Sequence, residues 1–116
     1  MIKQNNSSNN SSTLLEMMKK QLSDDKIENI DVYDVQNSLT HYIVIGTGTS
    51  SKHIHSSAEK LADKVKEITS SHISMEGNNR NAQWILIDFK DIIVHLFTAE
   101  ARDNYKLEEL YSRNKI

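Results

Sequence analysis

Between Gln83 and Phe97 the chain carries two alternating apolar runs, QWILIDF and IIVHLF, with only Lys90-Asp91 between them. Successive side chains of a strand point to opposite faces, and a two-residue connection sets the register of an antiparallel hairpin. That register places Ile85, Ile87, Phe89, Ile92, Val94 and Leu96 on one face, wholly apolar and therefore core. The other face collects Trp84, Leu86, Asp88, Ile93, His95 and Phe97, an aromatic, a carboxylate and an imidazole among apolar neighbours. Two readings of this second face stand. A helix covers it and the polar groups find local partners, as buried polar groups do. Alternatively its Trp84 end, which borders the polar loop from Glu76 to Ala82, is a docking patch, since Trp is enriched at interface hot spots.

The rest of the chain supplies the cover. Thr13-Leu-Leu-Glu16 has capping-box spacing, and Leu14, Leu15, Met17, Met18 and Leu22 give a helix ending near Ser23-Asp24-Asp25 an apolar side. Strands are expected over Ile30–Val35 and Thr40–Thr47, the second ending in a glycine-bearing turn. From Ser50 to Ser70, Ile54, Ala58, Leu61, Val65 and Ile68 recur at helical steps. A short extended piece, Ile73–Met75, precedes the loop. Thr98 can cap a last helix, with Tyr105, Leu107, Leu110 and Tyr111 available for packing. This order predicts an α/β (α+β) domain with a single mixed β-sheet flanked by helices. Strands joined by short turns should be antiparallel neighbours, and the long helix can cross between parallel ones. The tract Asn5–Ser12, NNSSNNSS, has nothing to bury, so residues 1–12 are expected to form a disordered polar tail and 13–116 the domain.

Composition narrows the chemistry. With no cysteine, disulfides, thiolate metal sites and cysteine nucleophiles are excluded. No apolar run approaches the roughly 20 residues that span a bilayer, and the first residues do not resemble a secretory signal, so the cytoplasm is the expected compartment. A net charge of −2 with interspersed signs offers no basic stripe for nucleic acid. A basic protein partner suits this surface better.

Nor does a catalytic motif emerge. Gly46-Thr47-Gly48-Thr49-Ser50, between a strand and a helix, is placed to hold an anion, yet it is neither a Walker A loop nor a dinucleotide fingerprint. A tight turn with Ser50 or Ser51 as N-cap is the simpler reading. A nucleotidyl transferase needs two carboxylates at i, i+2 on a strand to hold Mg²⁺. The pairs Asp31/Asp34 and Asp88/Asp91 are both at i, i+3, which on a strand points them to opposite faces; Asp91 can swing round if it lies in the turn, but no dicarboxylate platform is written here. His53 and His55 lie about 200° apart around their helix and cannot share a metal. No cofactor and no metal site is expected.

Taken in order, a series of residues resembles the RsfS/Iojap family of ribosomal silencing factors. The first half is Asp34-Val35, Ser38, Thr40, Tyr42, Thr47-Gly48-Thr49-Ser50 and Lys52-His53. The second is Glu76-Gly77, Trp84, Asp88, Asp91, Val94-His95, Arg102, Tyr105 and Leu107-Glu108-x-Leu110. The resemblance spans about residues 13 to 112. Departures are His41 where an aspartate is common, Phe89-Lys90-Asp91 in place of a glycine-containing turn, and Tyr111 where a tryptophan is usual.

The resemblance implies a nucleotidyltransferase-like fold lacking catalytic carboxylates, and no enzymatic activity. It implies binding to the large ribosomal subunit through ribosomal protein fourteen, blocked subunit joining, repressed translation, and a homodimer when free. Matching family positions together with the face argument make Glu76, Trp84, Asp88, His95 and Tyr105 the expected partner-binding set. Arg102 and Glu108 are expected to pair structurally. The alternative is a nucleotide-binding protein or nucleotidyltransferase that uses the Gly46–Ser50 turn.

Overall fold

The structure is a computed structural model that describes residues 7–35, 39–69 and 72–116. Its elements in chain order are α1 (Ser7–Asp24), β1 (Glu28–Asp34), β2 (Tyr42–Gly48), α2 (Ser51–Ile68), β3 (Ser74–Glu76), β4 (Trp84–Asp88), β5 (Ile92–Thr98), α3 (Ala99–Tyr105) and a 3₁₀ segment (Leu107–Asn114). Ser38 and Ser70 lie outside the described residues.

The five strands form one mixed sheet in the order β1-β2-β5-β4-β3. Strands joined by short connections pair antiparallel, and the central β2–β5 pair is parallel. The connection between that parallel pair carries α2 together with β3 and β4. The hairpin register is the one expected: Ile85 opposes Leu96, Ile87 opposes Val94, and Phe89 N–H donates to the Ile92 carbonyl at 3.0 Å.

Two apolar layers result. Ile85, Ile87, Ile92, Val94 and Leu96 pack with Val32 and Val44 beneath α1 and α2, which contribute Leu15, Met18, Leu22, Ile54, Leu61 and Val65. On the reverse face Tyr33, Ile43, Ile45 and Phe97 meet Ala101 of α3, with Leu107 and Tyr111 of the 3₁₀ segment alongside. The α3 cover reaches only part of this face, so Leu86, Asp88 and Ile93 stay half-buried.

Two helix caps agree with expectation. Ser50 Oγ accepts from His53 N–H at the start of α2, and Thr98 Oγ1 accepts from Ala101 N–H at the start of α3. The N-terminus departs from it. Helix α1 begins at Ser7, so residues 7–12, expected within a disordered tail, are helical, and residues 1–6 lie outside the described residues. Thr13 stands inside the helix rather than at its N-terminus. The reason is tertiary: Ser11 is 2% exposed, its hydroxyl donates to Asp91 Oδ2 at 3.2 Å and lies 3.1 Å from His41 Nδ1. That anchor holds a polar sequence that could not order itself. His41 is thereby used.

The hairpin turn is also specific. Lys90 has φ +77°, and Asp91 N–H donates to the Phe89 carbonyl at 3.1 Å, a three-residue γ-turn that any residue with a Cβ occupies under strain.

Candidate functional site

Trp84 and Phe97 are directly opposite in the β4–β5 ladder, and His95 opposes Leu86, the diagonal position. This placement brings three rings of the second face together. The indole stacks on Phe97 with centroids 5.0 Å apart at 26°, and its Nε1–H donates to His95 Nδ1 at 3.0 Å. Helix α3 adds the fourth ring. Ala101 and Tyr105 are four apart, hence on one helix face. Ala101 packs on the sheet, and Tyr105 comes to 4.8 Å from the indole, tilted 52°, while remaining 61% exposed.

Open grooves flank the half-buried indole on both sides. One, of about 560 Å³, is lined by Gln83, Trp84, Ala101, Asn104 and Tyr105. The other, of about 260 Å³, is lined by Glu76, Gly77, Trp84 and Leu86. Gly77 makes the second possible. Its φ is +78°, and a Cβ there would come within 2.6 Å of the Trp84 carbonyl, so the turn after β3 can hug β4 only without a side chain. Exposed Glu76, at the end of the edge strand β3, opposes Leu86 and sets a carboxylate on the groove rim.

The five residues expected from sequence therefore separate. Glu76, Trp84 and Tyr105 converge on one patch. Asp88 shares the face but lies about 13 Å along the strand from Trp84, and its Oδ1 accepts from Lys90 N–H at 2.8 Å, which supports the hairpin turn. His95 is 6% exposed and sits under the patch, hydrogen-bonded to the indole. Burial pushes its pKa from 6.5 down to about 4, and since an indole N–H can only donate, Nδ1 is unprotonated. Phe97 and the groove residues Gln83 and Asn104 were missed. Phe97 was legible from the hairpin register, whereas Asn104 depended on where α3 docks.

A second polar cluster ties the last helix to the sheet. Arg102 is 8% exposed. Its Nε donates to Glu108 at 3.1 Å, Nη2 to Asp31 at 2.7 Å, and Nη1 to Thr47 Oγ1 at 2.9 Å and to the Asn29 carbonyl. The structural pairing expected of Arg102 and Glu108 is present, extended across to β1 and β2. Beside it, the Tyr33 hydroxyl is pushed above its usual pKa by burial and by the Asp31 and Glu108 carboxylates, against Arg102.

The Gly46–Ser50 turn is tied to the start of α2. Thr49 N–H donates to His53 Nδ1 at 2.9 Å, His53 N–H to Ser50 Oγ at 3.0 Å, and Ile54 N–H to the Ser50 carbonyl at 3.1 Å. His53 Nε2 donates onward to the Asp25 carbonyl at 2.7 Å, tying this turn to the end of α1. A Cβ on Gly48 would meet Ile54 Cγ2 at 2.5 Å, so the glycine serves close packing of α2 on β2. The carboxylate pairs are parted: Asp31 faces Arg102, and Asp91 faces Ser11 on the opposite side from Asp88. Among the described residues, no three His, Asp or Glu side chains gather to hold a metal, and no helix is long and apolar enough to cross a membrane.

Comparison with known proteins accords with this architecture. The family model described as "Ribosomal silencing factor during starvation" matches residues 8–116. The chain is 35% identical over 111 residues to the ribosomal silencing factor RsfS of Zymomonas mobilis, covering 94% of this chain and 83% of that protein. It is 29% identical over 103 residues to the Mus musculus protein named mitochondrial assembly of ribosomal large subunit protein 1, covering 84% of this chain and 45% of the longer relative. A crystal structure of a Chromobacterium violaceum protein superposes with TM-score 0.81 at 27% identity, covering 87% of this chain and 85% of that one. The mixed five-stranded sheet, the ordered motif series and these matches lead to one conclusion: the chain belongs to the ribosomal silencing factor family, RsfS.

Proposed function

We propose that this chain is a non-catalytic factor that docks on the large ribosomal subunit through ribosomal protein fourteen. Occupying the surface that faces the small subunit, it keeps the subunits apart and represses translation. Free of ribosomes it pairs as a homodimer. Family membership supports the general role, and the mouse relative carries the large subunit in its name. The observation that carries the docking reading is the indole of Trp84, half-buried between two open grooves and next to an exposed tyrosine. Exposed aromatics over a desolvated base are the usual anchors of an interface, and the Glu76 and Asp88 carboxylates suit a basic partner. The contact set is Glu76, Trp84, Asp88 and Tyr105, with His95 beneath.

Sucrose-gradient profiles test the claim. Added protein should raise the fraction of free subunits, and an unchanged profile refutes silencing by this route. Trp84→Ala should weaken pelleting with large subunits by about 2 kcal/mol, roughly thirtyfold. A folded Trp84→Ala variant that pellets at wild-type affinity refutes the patch. Calorimetry with ATP and Mg²⁺ covers the nucleotide alternative. In the Gly46–Ser50 turn the Thr49 N–H already donates to His53 Nδ1 and the Ser50 hydroxyl caps α2, so no micromolar binding is expected.

A further inference from the structure

A ring wedged between two grooves shapes both of them, so its orientation matters as much as its presence. Phe97 supports the indole from one side at 5.0 Å and Tyr105 touches it at 4.8 Å. Ring contacts of this kind are weakly directional and tolerate sliding and rotation. Among the described residues, the indole makes one directional contact, the 3.0 Å hydrogen bond from Nε1–H to His95 Nδ1. The imidazole can hold it firmly because it is itself 6% exposed and lies nearly parallel to Phe97, with centroids 6.3 Å apart at 19°. If the indole swung away from His95, it would move toward the Ala101–Asn104 groove or the Glu76–Gly77 groove and fill it.

We propose that His95 is the positioning residue of the docking site: its Nδ1 acceptor fixes the Trp84 indole upright between the two grooves, so that a partner segment can straddle the ring. The proposal rests on the docking reading of Trp84 given above and deepens it. His95 then acts on binding only through the indole, which separates it from a residue that merely maintains the fold.

The sequence contains a single tryptophan, so indole fluorescence and the indole ¹H–¹⁵N resonance both report on this ring alone. Pelleting with purified large ribosomal subunits would compare four full-length proteins: wild type, His95→Leu, His95→Asn and Trp84→Phe. It would add the His95→Leu/Trp84→Phe double variant. His95→Leu removes the acceptor, and His95→Phe replaces it if the Leu protein does not fold. His95→Asn restores an acceptor near the position of Nδ1.

His95→Leu should shift the indole resonance, increase its solvent quenching and weaken binding about tenfold, as loss of preorganisation at a hot spot does. His95→Asn should recover most of the resonance position and come within about threefold of wild-type binding. In the Trp84→Phe background, which has no N–H to hold, changing His95 should alter binding by less than about twofold. Equal weakening in both backgrounds makes His95 a general structural residue and overturns the proposal, as does wild-type binding by His95→Leu. Those results leave the docking patch standing. If Trp84→Ala itself binds at wild-type affinity, the patch is lost and the positioning role with it.

Discussion

Replacing Arg102 by Met tests how the second face is closed. The substitution keeps a long side chain of similar bulk and removes every donor. Four acceptors lose a partner: the Glu108 and Asp31 carboxylates, the Thr47 hydroxyl and the Asn29 carbonyl. Hydrogen bonds to charged groups contribute about 1.5–3 kcal/mol each and neutral ones about 1 kcal/mol. Removing one partner of a buried ion pair costs about 3–5 kcal/mol. A full sum overstates the case. Asp31 and Glu108 side chains are 26% and 33% exposed and recover some hydration, and Lys115 Nζ remains 3.3 Å from Asp31 Oδ1. We expect a loss of about 3 kcal/mol, which for a domain of this size lowers Tm by roughly 10 °C or more. Thermal unfolding followed by circular dichroism measures it. The double variant Arg102→Met/Asp31→Asn should be less destabilised than the sum of its parts by about 1 kcal/mol, because it also removes the orphaned carboxylate. A Tm drop of under about 3 °C, or strict additivity, would refute the view that this guanidinium clamps α3 and the 3₁₀ segment onto the sheet.

Further outcomes follow from other contacts. The folded-state pKa of His95 lies near 4, below the 6.5 of the unfolded chain, so the folded state resists its protonation. The corresponding stability is whole above about pH 6.5 and is lost as pH falls toward 4, up to about 3 kcal/mol; urea unfolding from pH 7.5 to 4.5 should show this slope, and His95→Asn should flatten it. Lys90→Gly relieves a positive φ in the γ-turn and should raise stability by about 0.5–1 kcal/mol, read as a higher urea midpoint at unchanged m-value. Ser11→Ala leaves Asp91 and His41 without their shared hydroxyl and should destabilise by about 1 kcal/mol, whereas a change in a disordered tail would leave Tm unaltered.

The parts of the fold set by neighbouring residues were legible in the sequence. Alternation and a two-residue turn determined the β4–β5 register and both face assignments, because a one-residue slip would turn Ile85, Ile87 and Val94 outward. Helix α2 showed its apolar stripe and its cap, since both depend on residues three and four apart. The presence of Trp84 at an exposed end of the second face followed from the same parity.

Tertiary structure decided the rest. The polar tract before Thr13 reads as tail because its order depends on Ser11 meeting His41 and Asp91, which are 30 and 80 residues away. The burial of His95 depended on a tryptophan across the ladder and on where α3 docks. The four partners of Arg102 include Asn29, Thr47 and Asp31, 73, 55 and 71 residues distant, which no spacing rule connects. The parallel pairing of β2 with β5 is of the same kind. Sequence by itself determined which surfaces each element must hide, because local geometry converts residue order directly into faces. Which surfaces meet was decided only in the folded chain, where closing long loops is worth its entropy for the one arrangement that covers both sides of the sheet.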